Sequence, residues 1–190
     1  ETKLHDRFPF AQILRPEPGG YVVPDLIDSL LVDTLINKVV FESQNLGLIA
    51  SVTSLLNSQV SKERDVQLFT TFRSNAYNNQ NISKKQLGNL KFTYTAGEFS
   101  YNSPRSKVFD SLYVTAFGDL PKREALRGYD VALDVILRWS HINQLSSDSL
   151  GETEYIESRF DYVPNSAAGF ENRAFYLLEH SGYEISEIKK

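Results

Sequence analysis

Two groups of hydrogen-bonding side chains hold the chemistry most open to reading in this sequence. Ser43, Gln44 and Asn45 form one, and Thr70, Thr71, Arg73 and Asn75 form the other. Together they offer hydroxyl, amide and guanidinium groups, a set suited to holding a carboxylate or a sugar. A plainer reading stands beside this one. Ser43 or Asn45 caps a following helix, and Arg73 makes an ordinary surface ion pair. Tyr94, Phe99 and Tyr101 gather near another point where chemistry could occur, since aromatic faces stack on sugars and on ligand side chains. Core packing or a partner interface accounts for them equally well.

Catalytic chemistry has less to build on. His5, His141 and His180 are far apart and none stands in HxxxH or HExxH spacing, so no metal site is expected. His141 is already accounted for by the negative end of a helix. GxSxG, GxxxxGK[ST] and GxGxxG turns are all missing, and Glu152, Glu154 and Glu157 read as an acidic surface run. With no cysteine, thiolate metal sites, iron–sulfur clusters, disulfides and cysteine nucleophiles are excluded together. The expectation is a non-enzyme without a cofactor.

Composition narrows the partners. The 190 residues carry 24 acidic against 20 basic side chains, a net charge of −4, and no basic run gives a footprint for nucleic acid. At 41% hydrophobic and 12% aromatic the chain has material for a core. No apolar window is long enough for a transmembrane helix, and no signal peptide stands in the sequence. The chain opens on Glu1 and contains no Met, which predicts an N-terminus made by processing or truncation, a fragment of a longer chain, with room for a removed export signal.

The elements that must position these residues alternate. Ala11 to Leu14 reads as a short strand closed by Pro16, Pro18, Gly19 and Gly20. From Pro24, residues Leu26, Ile27, Leu30, Leu31, Leu35 and Ile36 repeat at helical spacing. Lys38 to Glu42 is a β-branched strand, followed by a helical pattern from Leu46 to Val60. The order then repeats: Asp65 to Thr71 as strand, Asn75 to Asn81 as loop, Ser83 to Leu90 as short helix, Lys91 to Thr95 as strand. Such alternation predicts an α/β fold with a mainly parallel sheet and helices on both faces. Beyond Gly97 two helices follow in succession, from Pro104 to Phe117 and from about Glu124 to Ser140. Tyr155 to Tyr162 alternates as a strand, and Phe175 to Glu179 with Tyr183 to Ile188 predicts an antiparallel pair turning at Ser181 and Gly182. No composition shift marks a domain boundary, so residues 1–190 are expected to form one domain.

Several strings carry a family resemblance. VVFESQNLGLIASVTSLLNS (Val39 to Ser58), DVQLFTTF (Asp65 to Phe72), RGYDVALDVILR (Arg127 to Arg138) and the ending FENRAFYLLEHSGYEISEI (Phe170 to Ile188) resemble the C-terminal portion of type I periplasmic binding proteins, the two-lobed receptors related to branched-chain amino acid binding proteins. GGYVVPDLIDSLL (Gly19 to Leu31) and ESQNLGLIASVTSLLN (Glu42 to Asn57) are similar to a subgroup in Bacteroidetes envelope proteins, in which such a domain follows LysM repeats.

The resemblance implies one receptor lobe, a periplasmic or cell-envelope location, and a non-catalytic role in binding a small polar ligand such as an amino acid. Ligands in open α/β sheets collect beyond the carboxyl ends of the strands, which selects Ser43, Gln44, Asn45, Thr70, Thr71, Arg73 and Tyr94 as the binding residues. In the full family Tyr129 and Asp130 would lie near hinge and cleft, although helix interiors mostly supply packing. The first lobe of such a receptor and any LysM repeat lie outside this sequence. A second function is therefore carried beside the first, a structural or protein-interaction module of the envelope that has lost its ligand. The expected partners are a small molecule or an envelope or cell-wall component.

Overall fold

The computed structural model describes residues 6–99, 104–142, 151–165 and 169–189. The chain divides into two compact units, Glu1–Tyr94 with Leu178–Lys190, and Thr95–Leu177.

In the first unit, helix α1 (Pro24–Leu30) starts with proline in its first turn beside Asp25, where a missing N–H costs nothing and a negative charge meets the helix dipole. The helical spacing of the sequence runs on to Ile36, but the helix stops before Leu31, whose backbone is extended. Asn37 is the reason. Its amide donates to the carbonyls of Val32 at 2.9 Å, Leu35 at 3.2 Å and Asp65 at 3.1 Å, while its oxygen accepts from the N–H of Val32 at 2.8 Å. A side chain thus takes the bonds that continued helix would need, and Thr34 crosses at a φ of 67° into strand β1 (Ile36–Val40).

Strand β1 pairs in parallel with β2 (Asp65–Thr70), Ile36 opposite Asp65 and Val40 opposite Phe69. Strand β2 pairs in parallel with β3 (Thr93–Ala96) through Phe69 opposite Thr93 and Thr70 opposite Tyr94. Helix α2 (Leu46–Gln59) joins the first two strands. It buries Leu48, Ile49, Val52, Thr53 and Leu56, the three-and-four spacing of one helical face. A 3-10 turn (Asn75–Asn78) and helix α3 (Lys84–Asn89) make the second crossover, with Asn45 and Ser83 as side-chain N-caps of α2 and α3. Strand β2 buries Val66, Leu68 and Thr70 on one face. The opposite face does not match the expectation of helices on both sides along β1, where Ile36 is 58% and Val40 64% exposed.

Two antiparallel strands, β8 (Tyr176–Ser181) and β9 (Glu184–Glu187), complete a mixed five-stranded sheet in the order β1-β2-β3-β8-β9. Their loop, Gly182 and Tyr183, needs glycine first: Gly182 holds a φ of +61°, in the region that only glycine enters freely. Helix α3 passes close over it, so that a Cβ on Gly88 would land on the Gly182 carbonyl oxygen and 2.7 Å from its Cα. The strand predicted over Ala11 to Leu14 does not form. The run is short, lies between Pro9 and Pro16, neither of which can donate to a ladder, and instead lines a cavity of about 530 Å³ with Val39, Phe41 and Leu48.

The second unit holds helices α4 (Pro104–Phe117) and α5 (Arg123–Ile142) with two small antiparallel pairs. These are β4 (Thr153–Glu154) with β5 (Arg159–Phe160), and β6 (Tyr162–Pro164) with β7 (Phe170–Asn172). The continuous strand expected over Tyr155 to Tyr162 is broken by a turn, closed by the N–H of Tyr155 on the carbonyl of Ser158 at 3.0 Å. Among the described residues no helix is long and apolar enough to cross a membrane.

Candidate functional site

The residues singled out at the strand ends fall into two arrangements, both within the first unit. After β1, the Asn45 side chain accepts from the N–H of Leu48 at 3.0 Å, and the Ser43 hydroxyl accepts from the N–H of Asn45 at 3.1 Å. Both residues serve the start of α2, the capping alternative, and Gln44 between them is exposed. After β2, Thr70 and Thr71 turn toward Glu42, a residue that the sequence reading did not single out. The Thr70 hydroxyl donates to Glu42 Oε2 at 2.9 Å, and Thr71 donates to Oε1 from its backbone N–H at 2.5 Å and its hydroxyl at 2.8 Å. Burial pushes the Glu42 pKa up, but the hydrogen bonds from Thr71 and Thr70 outweigh it and leave the carboxyl below its ordinary value. A carboxylate of the chain itself sits where a ligand carboxylate was expected.

Arg73 and Tyr94 do come together. The guanidinium carbon lies 5.0 Å from the centroid of the Tyr94 ring, a cation–π distance, and one terminal nitrogen donates to Asn78 Oδ1 at 2.6 Å. Tyr77, from the 3-10 turn, stacks on Phe92 with centroids 4.6 Å apart, and Phe92 lies 5.6 Å from His180 of β8. Burial, then the Glu42 charge, pushes the Tyr77 hydroxyl up to about 12. Burial, then the charges of Arg73 and Lys84, lowers His180 to about 4, so this imidazole is neutral at pH 7. Tyr77 escaped the sequence reading, and His180 was weighed there only as a metal ligand, because their partners come from segments distant in the sequence. Tyr101, read together with Tyr94, lies outside the described residues.

The second unit has a row of charged side chains on one face of α5. Asp130, Asp134 and Arg138 are fully buried, four residues apart in succession. Asp130 accepts from the backbone N–H groups of Ile156, Glu157 and Ser158 at 3.1, 2.9 and 3.0 Å. Asp134 pairs with Arg138 Nε at 2.8 Å and accepts from the Thr153 hydroxyl at 2.6 Å and the Tyr155 hydroxyl at 3.0 Å. Arg138 reaches on to Thr153 Oγ1 at 2.9 Å and the Phe160 carbonyl at 3.2 Å. These bonds hold β4, β5 and the turn between them against the helix, with only Arg138 Nη1 of the three side chains left without a partner among the described residues, which places Asp130 in packing and not in a cleft. Beside them, α4 and α5 leave an apolar recess of about 680 Å³ lined by Leu112, Tyr113, Phe117, Tyr129 and Leu133. Aromatic contacts line it, Phe109 with Tyr129 at 4.7 Å and Tyr113 with Phe117 at 4.6 Å. Its lip is open, with Leu112 65% and Phe117 71% exposed.

No set of three His, Cys, Asp or Glu residues able to hold a metal lies together among the described residues. Comparison with protein-family models, with curated proteins and with solved structures returns no match for this chain.

Proposed function

We propose that this chain is a non-catalytic, receptor-like α/β domain of an envelope protein that works chiefly through contact with a protein partner, on the apolar surface of α4 and α5. The receptor ancestry rests on the sequence resemblance and is supported by the run of parallel strands with helical crossovers and by the closing antiparallel pair. The carrying observation for function is a contrast. The donors that would grip a solute, Thr70 and Thr71, are filled by Glu42, and Asn45 is a cap, whereas the recess beside Leu112 and Phe117 is left open by the described residues. An exposed apolar recess rimmed by large side chains is what a partner residue buries. Binding of a small polar ligand at the strand ends is the second reading, favoured by Arg73 held over the Tyr94 ring within the cluster.

A photo-crosslinking side chain placed at Leu112, in cells or envelopes containing the full protein, tests the first reading. A discrete crosslinked species that disappears with Phe117→Asp, and that is missing when the crosslinker stands at Lys85 of the first unit, is the expected result. No species at Leu112, or one indifferent to Phe117→Asp, overturns it. If the species is a dimer of this chain, the partner is a second copy.

A further inference from the structure

We propose that Arg73, Ser74, Tyr77 and His180 form a binding site for an oxyanion, the carboxylate or phosphate group of a small ligand, at the carboxyl end of the sheet in the first unit. The inference concerns the site of the second reading above and goes beyond it by naming the ligand chemistry; it stands independently of the contact surface on α4 and α5.

The starting observation is a concentration of unpaired polar atoms in a buried place. Ser74 is 7% exposed, and Tyr77 and His180 are each 3% exposed. The Ser74 hydroxyl, the Tyr77 hydroxyl, Arg73 Nε and both ring nitrogens of His180 have no hydrogen-bond partner among the described residues. Native interiors satisfy nearly all such atoms, so a run of them in one place calls for a group that the protein does not supply itself. Those of Arg73, Tyr77 and His180 belong to one cluster, and Ser74 is the next residue after Arg73 in the chain. Tyr77 stacks on Phe92 at 4.6 Å, Phe92 and Tyr94 lie 5.6 and 6.0 Å from His180, and the Arg73 guanidinium lies 5.0 Å from the Tyr94 centroid.

The sign of the missing group follows from the donor inventory. Arg73 has one terminal nitrogen committed to Asn78, which leaves Nε–H as a charged donor. The serine and tyrosine hydroxyls each bring a proton, and a neutral imidazole brings one N–H. Donors therefore outnumber obligatory acceptors, and the formal charge is positive. Glu42, whose charge acts on Tyr77, is already engaged by Thr70 and Thr71. Lys84 adds to the positive field at His180. An ammonium group would meet the positive charge of Arg73, whereas an oxyanion would take charge-assisted bonds from Nε–H and neutral ones from the three other side chains.

The test is a titration of the full chain with inorganic phosphate and, separately, with acetate, followed through the imidazole resonances of His180. The expected result is a saturating shift in the low-millimolar range, weakened about tenfold by Tyr77→Phe and by Ser74→Ala, each of which removes one hydroxyl and keeps the ring stack or the backbone. Stronger binding of phosphate assigns the site to a phosphorylated ligand, and stronger binding of acetate to a carboxylate. Because both variants are conservative, their unfolding midpoints serve as the control for folding. A shift that stays linear with both anions to about 50 mM, or a saturation unchanged in both variants, means ordered water fills the cluster and overturns the proposal.

Discussion

Glu42 occupies, from inside the molecule, the position that an incoming carboxylate was expected to take. Thr70 and Thr71 are legible in the sequence as donors, and they do donate, but the acceptor comes from the neighbouring parallel strand end, a pairing that depends on register and not on spacing. Replacing Glu42 by Ala frees three donors near solvent and should cost about 1 kcal/mol in urea unfolding. Since its folded pKa is lowered from 4.5, the stabilising contribution is present above that value and fades as pH falls through the folded pKa, where Glu42→Gln and the parent chain should converge. His180 behaves in the same direction for a different reason. A base whose pKa drops from 6.5 to about 4 binds its proton more readily when unfolded, so stability is full above pH 6.5 and declines between 6.5 and 4. The loss should be about 2 kcal/mol after allowance for solvent screening. His180→Phe should flatten that slope, as read from denaturant midpoints at pH 7 and pH 4.5.

The elements were legible wherever periodicity is long. The helix Leu46–Gln59, the strand Asp65–Thr70 and the paired ending Tyr176–Ser181 with Glu184–Glu187 each follow from a pattern that one face of a helix or strand must satisfy. What periodicity misses is a single polar side chain that redirects the backbone. Asn37 ends α1 early by taking the bonds of Val32 and Leu35, and Asp130 breaks the strand expected at Tyr155 to Tyr162 by collecting three consecutive N–H groups. Asp130→Ala leaves those buried donors unpaired and should cost about 3 kcal/mol, measured by thermal or urea unfolding. Glycine at position 88 has an equally local meaning. Its Cβ would run into the backbone of Gly182, which cannot yield as a side chain does, so Gly88→Ala should destabilise by about 2–3 kcal/mol despite alanine being the better helix former. If Gly88→Ala is neutral, helix α3 and the β8–β9 loop are not in the close contact described.

For the whole molecule, the alternation of strand and helix patterns pointed to a mixed α/β chain, yet composition gave no sign of the division at Tyr94 and Leu177 into two units. That division arises because the chain leaves the sheet after β3, builds two helices and two small strand pairs, and returns for β8, a path set by contacts between distant segments. The candidate binding residues follow neighbouring parallel strand ends, but of them only Arg73 and Tyr94 have side chains aimed at one another. Thr70 and Thr71 are spent on Glu42, Ser43 and Asn45 on the start of α2, and Gln44 is exposed. The same internal satisfaction governs affinity. A solute arriving at Thr70 and Thr71 must displace a carboxylate already bonded there, and it gains only the neighbouring Arg73 cluster in return. The contact reading therefore requires free solutes to be weak ligands. Calorimetric titration of the chain with the free amino acids and with small neutral sugars measures this most directly. The account predicts no complex tighter than about 0.1 mM with any of them, and a micromolar complex with an amino acid, lost in Arg73→Ala, would contradict it.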